Sequence, residues 1–452
     1  MFKKVLIANR GEIALRVARA CRELGVRTVA VYSTADCDSA VVRQADESVR
    51  IGPPPSKNSY QNAAAIIETA LRTGAEAVHP GYGFLSEDPD FAEICADNGL
   101  TFIGPRPDVM AALSDKAQAR RLMNDALLPL LPGSLDTVSS AAEGKDIADQ
   151  IGYPVIVKAA AGGGGRGMKI VHSADEFVPA YEETRRTAQA FFGDDHVYVE
   201  RYLRHARHVE VQFLCDEHGN GIHLGTRDCS IQRRHQKLIE EAPAPNLSEK
   251  TLQTMSESAV RGALSVGFSG AGTAEFLVDE DENFYFMEVN SRIQVEHPVT
   301  EMVTGIDLIH EQLHIASGTP LRHRQADIQL RGVSIECRVN AEDPDRGFAP
   351  APGTLERFTP PGGPFTRVDT HGYAGYRIAP HYDSLLAKTV VWAPDRDLAL
   401  NRMDRALAEF DIAGPGVTTT IPFLRRVISD DEFRAERQST GLVERLLDGP
   451  GK

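Results

Sequence analysis

The first 114 residues alternate short apolar segments with amphipathic ones, and this pattern constrains the fold more than any other feature of the chain. KVLIAN is typical of a buried strand. In the following segment, GEIALRVARACRELG, Ile13, Val17 and Ala20 recur at helical spacing before Gly25 ends the helix. VRTVAVYS, NAAAIIETALRTG and EAVHP continue as strand, helix and strand. The alternation predicts a parallel, Rossmann-like sheet over residues 1–114, but the GxGxxG turn of dinucleotide-binding sheets is absent after the first strand.

The remaining chain changes character twice. Over residues 115–330 the pattern is one of β-hairpins interleaved with helices, and from residue 331 the strand-like VSIECRVN opens a third region that ends in helical segments. A chain of 452 residues has room for about three domains. We therefore expect a mixed α/β and α+β protein with domains at 1–114, 115–330 and 331–446.

Charge and cysteine usage exclude several classes of protein. Lys and Arg number 49 against 64 Asp and Glu, a net charge of −15, which argues against coating nucleic acid or an anionic membrane. No apolar run is long enough for a signal peptide or a membrane span. The six cysteines are dispersed without a CxxC pair, which fits neither a disulfide framework nor a zinc site. We expect a cytoplasmic protein with reduced thiols and no nucleic-acid or membrane partner.

A glycine-rich hairpin is the first motif that indicates chemistry. GYPVIVKAAAGGGGRGMKIV places Lys158 on a strand before the glycines at 162–165, and a second strand follows them. Because no helix follows, neither the Rossmann fingerprint nor the Walker loop has its required context. Bare backbone amides beside a lysine can close over phosphates. The alternative is a flexible hairpin turn.

A second hairpin carries facing acids. GTAEFLVDEDENFYFMEVNSRIQVEHP turns at residues 281–282, which places Glu275 opposite Glu288. Cross-strand Cβ atoms lie about 5 Å apart, so two carboxylates there repel unless a cation separates them. Asn290 shares their face, and such oxygen ligands suit Mg²⁺ or Mn²⁺ completed by nucleotide phosphates. The alternative is the solvated face of a strand, and since a strand that continued to Glu296 would be unusually long, we expect a bend within it.

Two further motifs have less specific interpretations. RDCSIQRRHQKLIEEAPAP concentrates basic residues just before two glutamates, which alone indicates a solvated charged face or, less often, a nucleic-acid patch. HEQLH at 310–314 matches the HExxH pattern of zinc proteases. The surrounding helix is apolar and no third ligand has a recognisable spacing, so zinc hydrolysis is not favoured.

Several long motifs occur in one order along the chain: ANRGEIA, HPGYGFLSE, the Lys158 strand with GGGGRGM, RHVEVQ, RDCSIQRRHQK, EEAPAP, NSRIQVEHPVTE, ECRVNAEDP and YDSLLAK. In this combination the chain resembles the biotin carboxylase family of the ATP-grasp superfamily over essentially its whole length. The resemblance implies a Rossmann-like amino-terminal domain, a central ATP-grasp domain with a mobile lid at about 130–203, and a carboxy-terminal biotin carboxylase domain.

The reaction that the resemblance implies is the carboxylation of biotin by bicarbonate through carboxyphosphate, with ATP and two Mg²⁺ or Mn²⁺ ions. It is the first half-reaction of acetyl-CoA carboxylase or another acyl-CoA carboxylase. The AMKM motif of a biotin carrier is absent from the sequence. The implied partners are therefore a biotin carboxyl carrier protein, or a carrier domain further downstream, and a carboxyltransferase subunit. The family also implies a homodimer.

The resemblance also implies roles for individual residues. The residues expected to bind ATP are Lys116, Lys158, Gly164, Gly165, Glu200, Leu203, His208, Gln232, His235 and Leu277. The metal ligands would be Glu275 and Glu288, with Asn290 on a second ion. Lys237, Arg292, Gln294 and the backbone of Val295 would hold bicarbonate, and Glu296 would be the general base. Arg338 would stabilise the charge on the biotin ureido oxygen, with Tyr82 and Gly83 lining the biotin pocket.

Two other functions remain open at the level of sequence. One is a different ATP-grasp ligase that makes an acyl phosphate, such as a carbamoyl-phosphate-type enzyme. The other is a non-catalytic nucleotide-binding module. A module that only senses nucleotide needs no base beside a bicarbonate site, so the presence of Glu296 argues against it.

Overall fold

The computed structural model describes residues 1–160 and 167–448. The first region contains the strands β1 (Lys4–Ile7), β2 (Arg27–Ser33), β3 (Glu47–Gly52), β4 (Ala77–His79) and β5 (Thr101–Phe102). They form one parallel sheet in the order β3-β2-β1-β4-β5, which confirms the predicted Rossmann-like fold. Its helices are α1 (Gly11–Glu23), α2 (Ala40–Gln44), α3 (Ala63–Thr73), α4 (Pro89–Asp97) and α5 (Pro107–Ser114).

The loop between β1 and α1 helps to form the cleft described below. All four residues of β1 are buried, and α1 packs on the sheet through Ile13 and Val17. Where dinucleotide-binding folds have glycine, this loop has Asn9, whose Nδ2 donates to the carbonyls of Pro80 at 2.6 Å and Tyr82 at 2.8 Å. Asn9 therefore ties the loop after β1 to the loop after β4.

A small layer follows helix α6 (Lys116–Asp125). It comprises α7 (Ala141–Ile151), β6 (Val155–Ala159), β7 (Met168–Val171), α8 (Ala174–Phe192) and β8 (Val197–Arg201). The strands form an antiparallel sheet in the order β7-β6-β8, and Lys158 pairs with Met168 across the predicted glycine hairpin. The two helices pack on this sheet and enclose a core of their own, which includes Val157, Phe177 and Val199.

The largest layer is an eight-stranded antiparallel sheet in the order β13-β12-β9-β10-β11-β14-β19-β18. Its strands are β9 (Arg207–Cys215), β10 (Gly221–Arg233), β11 (Gln236–Ala242), β12 (Gly270–Val278), β13 (Phe284–Asn290), β14 (Val333–Asn340), β18 (Thr366–Thr370) and β19 (Leu385–Ala393). The helices α9 (Glu249–Ser265), α10 (His297–Thr304) and α11 (Leu308–Ala316) belong to the same part of the chain. Because β11 pairs with β14, the second and third regions share one continuous sheet.

The third region adds short strands and a helical layer. The strands are β15 (Glu342–Asp343), β16 (Ala349–Pro350), β17 (Arg357–Thr359) and β20 (Asp411–Ala413), and the helices are α12 (Arg396–Glu409), α13 (Ile421–Ile428), α14 (Asp431–Arg434) and α15 (Leu442–Asp448). Short 3₁₀ turns lie at Thr34–Asp36, Ser56–Asn58, Gln325–Asp327 and Pro344–Arg346. Among the residues described, no helix is both long enough and apolar enough to cross a membrane.

Candidate active site

A cleft of about 880 Å³ opens between the Rossmann-like region, the small three-stranded sheet and the eight-stranded sheet. Every site residue expected from the sequence lines it, apart from Gly164 and Gly165, which lie outside the described residues. These lining residues are Tyr82, Gly83, Lys116, Lys158, Glu200, Leu203, His208, Gln232, His235, Lys237, Glu275, Leu277, Glu288, Asn290, Arg292, Gln294, Val295, Glu296 and Arg338.

The hairpin of β12 and β13 forms one wall of the cleft. Glu275 lies directly opposite Glu288, as the sequence predicts. Between Glu275 and the turn, a bulge shifts the register by one residue, so that Phe276 pairs with Phe286. Strand β13 ends at Asn290, so the bend expected before Glu296 is also present.

The two facing carboxylates have opposite shifts in pKa. Burial in the cleft raises the pKa of Glu288, the charge of Glu275 raises it further, and Lys116 opposes both. The Nζ of Lys116 lies 3.7 Å from Glu288 Oε2. Burial would also raise the pKa of Glu275, but Lys237 and His208 outweigh it and hold the pKa well below its usual range. Glu288 is therefore the carboxylate that lacks sufficient positive charge nearby.

This donor set fits a divalent cation. Glu275 and Glu288 supply carboxylate oxygens, and Asn290 supplies an amide oxygen on the same wall. Asn290 Nδ2 donates to Glu275 Oε1 at 2.9 Å, which fixes the amide beside the acids. Hard oxygen ligands of this kind suit Mg²⁺ or Mn²⁺, and a cation between the carboxylates would relieve their repulsion.

Lys237, near the start of β11, contacts three carboxylates. Its Nζ lies 2.6 Å from Glu210, 3.0 Å from Glu275 and 2.7 Å from Glu296. Burial alone would lower the pKa of Lys237, but these three charges outweigh it and raise the pKa well above its usual value. Lys237 is thus a fixed positive charge in the middle of the cleft.

Glu296 lies between two cations. Lys237 donates to Oε1, and Arg338 Nη2 donates to Oε2 at 2.8 Å. Burial would raise the pKa of Glu296, but Lys237, Arg338 and Arg227 hold it well below its usual range. An anionic ligand that shared these cations would make Glu296 a stronger base.

Glu87 holds the loop that follows β13. Its Oε2 accepts from Arg292 Nε at 2.9 Å, and its Oε1 accepts from the backbone N–H of Ser291 at 3.1 Å. Arg292 Nη2 also donates to Asn290 Oδ1 at 3.2 Å. The Arg292 guanidinium therefore lies beside the carboxylate hairpin, in a position set by a residue of the Rossmann-like region.

At the other end of the cleft, Glu200 is buried between Lys158 and Arg120. Lys158 Nζ lies 2.7 Å from Glu200 Oε2, and Arg120 donates to Oε1. Burial would raise the pKa of Glu200, but Lys158 and Arg120 outweigh it and lower the pKa. The Leu203 and Leu277 side chains are half-buried here and give this end an apolar wall.

A buried lysine connects three parts of the chain at the cleft. Lys388 on β19 is fully buried; its Nζ donates to the carbonyl of Val295 at 2.9 Å and lies 3.2 Å from the Glu12 carboxylate. The Tyr82 hydroxyl donates to the same carboxylate. Lys388 therefore fixes the backbone just before Glu296 relative to the Rossmann-like region.

The interpretation of the basic cluster as a solvated face is wrong for most of its charges. Arg234 is exposed at the tip of the hairpin, but Glu240 and Glu241 are buried and Lys237 points into the cleft. The physical reason is that β10 and β11 are inner strands of the eight-stranded sheet. Charges on such strands must find buried partners, as Glu241 does with Arg396 at 2.8 Å.

Sequence reasoning missed the residues that support the site: Glu12, Glu87, Arg120, Glu210, Arg227, Glu240 and Lys388. Arg227 shows the pattern best, because it is fully buried and donates to Glu210 at 2.6 Å and to Gln294 at 2.8 Å. For the residues on strands, the available signal was a charge within a strand, which requires buried partners. The identity of these partners could not be read from the sequence because they lie on other strands or in loops.

The HExxH segment forms part of α11. Its Glu311 is buried and accepts from Arg322, and His310 Nε2 lies 3.2 Å from Glu23. Within residues 1–160 and 167–448, no group of metal-ligating atoms combines His310 with His314. The segment therefore contributes to packing and ion pairs between α11 and its neighbours.

Three family models match the chain. A model described as the biotin carboxylase N-terminal domain matches residues 1–110, and one described as the biotin carboxylase C-terminal domain matches residues 336–445. Between them, a model described as the ATP binding domain of the carbamoyl-phosphate synthase L chain matches residues 115–324.

Individual proteins match over the full length. A biotin carboxylase of Nostoc sp. is 53% identical over 445 residues, with 98% of this chain and 99% of the relative covered. The structure of a Campylobacter jejuni biotin carboxylase–β,γ-ATP complex is 46% identical with a TM-score of 0.95, covering 98% and 99% of the two chains. The biotin carboxylase domain dimer of Hydrogenobacter thermophilus 2-oxoglutarate carboxylase, solved with MgADP, ADP and bicarbonate, is 48% identical with a TM-score of 0.94, covering 100% of each.

Proposed function

The chain belongs to the biotin carboxylase family and is an ATP-dependent ligase that carboxylates biotin with bicarbonate, and from this premise we propose how its own residues divide the reaction. Bicarbonate attacks the γ-phosphate of ATP, ADP leaves, and carboxyphosphate forms. Carboxyphosphate then transfers its carboxyl group to the biotin nitrogen: the N–C bond forms, the bond between the carboxyl carbon and the phosphate oxygen breaks, and the released phosphate takes the proton of the biotin N–H. Phosphorylation is needed because bicarbonate is a poor carboxyl donor.

The nucleotide lies along the cleft from the small sheet to the carboxylate hairpin. Lys116, Lys158 and His208 contact its phosphates or base, whereas Gly164 and Gly165, which the resemblance assigns to the phosphates, lie outside the described residues. Glu200, Leu203 and Leu277 frame the adenine, and Gln232 and His235 approach from the β10–β11 turn. In support, all of these residues except the two glycines line one continuous cavity.

Glu275 and Glu288 hold a divalent cation, and Asn290 helps to hold a second one. The cation neutralises phosphate charge that develops during transfer. The raised pKa of Glu288, caused by burial and by Glu275, supports a site that requires a cation. A solved relative contains MgADP, and we extend that ligand to this chain.

Bicarbonate occupies the space between Lys237 and Arg292, beside Gln294 and the backbone of Val295. When it shares these cations, Glu296 loses part of the positive field that lowers its pKa, and it can then take the bicarbonate proton. Arg338 faces the biotin ureido oxygen and stabilises its negative charge while Tyr82 and Gly83 line the pocket.

One observation carries this assignment of roles. Glu296 is held at 2.7 Å by Lys237 and at 2.8 Å by Arg338, so a single carboxylate joins the bicarbonate side of the cleft to the biotin side. An ATP-grasp ligase acting on a different acid would not need this link. The carbamoyl-phosphate-type alternative is also not favoured by the biotin carboxylase matches on both sides of the ATP-binding region.

The test is a comparison of two activities in the full chain. ATP cleavage should require bicarbonate and accelerate with free biotin, and phosphate release should match the carboxybiotin formed. Arg338→Ala should lose carboxybiotin formation more than bicarbonate-dependent ATP cleavage. Glu296→Ala should lose both, by about 10²–10⁴-fold, the usual contribution of a general base.

Arg425→Ala is the control, because Arg425 pairs with Asp404 on the surface at 2.7 Å and lies outside the cleft. Equal loss of both activities in Arg338→Ala would contradict the proposed division of roles. Bicarbonate-independent ATP cleavage by the wild type would contradict the bicarbonate site.

Partners, domains and location complete the proposal. We propose that biotin arrives on a biotin carboxyl carrier protein or domain, that a carboxyltransferase subunit uses the product, and that the chain forms a homodimer like the Hydrogenobacter domain. We propose domain limits of 1–114, 115–330 and 331–446, which the family matches at 1–110, 115–324 and 336–445 support, and we propose a lid at 130–203 within the second domain. A cytoplasmic location is supported by the six free thiols.

A further inference from the structure

Two buried glutamates lie behind Arg338 and have no part in the reaction described above. Glu240 on β11 and Glu336 on β14 are direct partners in the antiparallel register, and both are 0% exposed. Cβ atoms in such a pair lie about 5 Å apart. Two ionised carboxylates at this spacing in an enclosed interior repel strongly, so the pair is stable with at most one negative charge.

Three of the four carboxylate oxygens of the pair lack a hydrogen-bond donor among the described residues, and a proton shared between the two side chains would supply one. Glu240 Oε1 accepts from Arg338 Nε at 2.5 Å. Glu240 Oε2 and both oxygens of Glu336 have no donor among the described residues. A buried carboxylate without a donor is costly, whereas a protonated Glu336 can donate its O–H to Oε2 of the facing Glu240.

The charged and titratable groups that act on the pair come from four strands and from the residue just before α10: Cys229, Lys237, Glu296, Cys337, Arg338 and Lys388. Burial raises the pKa of Glu240 to about 7, against the opposing effect of Arg338. Burial also raises the pKa of Glu336, well above its usual value, against the opposing effect of Lys388. These shifts agree with one shared proton, carried by Glu336.

We propose that Glu240 is a positioning residue for Arg338, and that Glu336 is a carboxylic acid whose hydrogen bond keeps Glu240 ionised. Glu240 holds the guanidinium by Nε, so that its outer nitrogens remain directed at Glu296 and at the cleft. When Glu240 takes up a proton, Arg338 loses this anchor and pairs only with Glu296. The biotin oxygen then lacks its cation, so this inference rests on the function proposed above.

The test uses two substitutions at Glu336, with carboxybiotin formation and biotin-free, bicarbonate-dependent ATP cleavage each measured from pH 6 to 9. Glu336→Gln keeps an N–H that can donate to Glu240. The acid limb of its pH profile, that is, the fall in carboxybiotin formation towards low pH, should therefore stay near that of the wild type. Glu336→Met removes the donor and raises the pKa of Glu240. A rise of one pKa unit lowers the ionised fraction at pH 7 about fivefold. In Glu336→Met, carboxybiotin formation at pH 7 should therefore fall about fivefold relative to the wild type and should recover by pH 9, while ATP cleavage changes less.

Glu240→Gln provides the second measurement. It keeps an oxygen that can accept from Arg338 but has no charge, so carboxybiotin formation should fall on the order of tenfold relative to ATP cleavage and should not recover at pH 9. Glu241→Gln is the matched control, because Glu241 is the adjacent buried glutamate and pairs with Arg396 outside the cleft.

The inference is overturned if Glu336→Met keeps the acid limb of the wild type. If Glu336→Met does not fold, the Glu240→Gln variant provides the test. The inference is then overturned if the ratio of carboxybiotin formation to ATP cleavage is the same in Glu240→Gln as in Glu241→Gln. A wild type that forms no carboxybiotin at any pH would instead contradict the proposed function.

Discussion

Single residues in the cleft are arranged so that nearly every buried charge has an opposite charge at hydrogen-bond distance. Lys237 contacts three carboxylates, and Glu296 contacts two cations. Glu288 differs, because its cation contact among the described residues is Lys116 at 3.7 Å. A carboxylate without a close positive partner, in a site where the other charges are paired, is a good candidate for binding a cation that the protein chain does not supply.

We predict that Glu288→Gln severely lowers ATP-dependent turnover and leaves the fold intact. The substitution removes one anionic ligand, and a bound metal supplies several kcal/mol of charge stabilisation, so turnover should fall on the order of 100-fold. Steady-state kinetics with increasing Mg²⁺ measures the effect. Glu280→Gln, at the exposed turn of the same hairpin, is the matched control. Near-normal activity of Glu288→Gln at saturating Mg²⁺ would refute the metal assignment.

Among the elements, the small sheet has the physical properties of a lid. The strands β6, β7 and β8 and the helices α7 and α8 share a hydrophobic cluster separate from those of the two larger sheets. Lys158 and Glu200 lie within this unit, whereas Arg120 lies on α6 outside it. A unit with its own core can rotate as a body around the polar contacts at its edge without exposing apolar surface.

We predict that nucleotide closes this lid. Amide hydrogen exchange in Val155–Ala159 and Met168–Val171 should slow when a non-hydrolysable ATP analogue and Mg²⁺ are added, because bound phosphates would fix Lys158 and the adjacent hairpin. Strand β1, which lies in the core of the Rossmann-like sheet, should exchange at the same rate with and without the analogue. Unchanged exchange in both lid strands would count against closure.

For the whole molecule, one buried carboxylate that does not line the cleft joins the three regions. Glu301 on α10 lies 3.0 Å from Arg16 on α1 and 2.7 Å from Arg367 on β18. Burial would raise the pKa of Glu301, but these two guanidinium groups outweigh it and hold the pKa well below its usual range. The stabilisation from this carboxylate is therefore complete above its unfolded pKa of about 4.3 and is lost as the pH falls toward the folded value.

We predict that Glu301→Gln lowers the thermal unfolding midpoint most at pH 7 and progressively less below about pH 4. Removing one partner of a buried ion pair costs about 3–5 kcal/mol at neutral pH. Near pH 3 the unfolded wild type has taken up a proton that the folded state does not bind, which lowers the stability of the wild type, so the two midpoints approach each other. Thermal unfolding at pH 7, 5, 4 and 3 measures the difference. A difference that stayed constant with pH would show that the charge of Glu301 is not what stabilises the junction.

The amino-acid sequence was sufficient for features that depend on neighbours along the chain. The strands and helices of the first region follow from apolar periodicity, and the pairing of Glu275 with Glu288 follows from counting outward from one turn. The motifs also predicted many, though not all, of the residues that line the cleft. Local spacing determines these properties because hairpins and amphipathic helices form between residues close in sequence.

The tertiary structure alone decided which charges meet. Arg227 with Gln294, Lys388 with Glu12 and Glu240 with Glu336 come from distant segments that become neighbours through the order of strands in the sheet or through contacts between regions. The same order made the charges around Lys237 buried rather than solvated, and it made one sheet continuous across the second and third regions. The physical reason is that a charged residue on a strand does not specify which residue will pair with it. Burying an unpaired charge is costly, so a partner of opposite charge or a hydrogen-bonding partner is required. Only the assembled sheets determine which residue is near enough to be that partner.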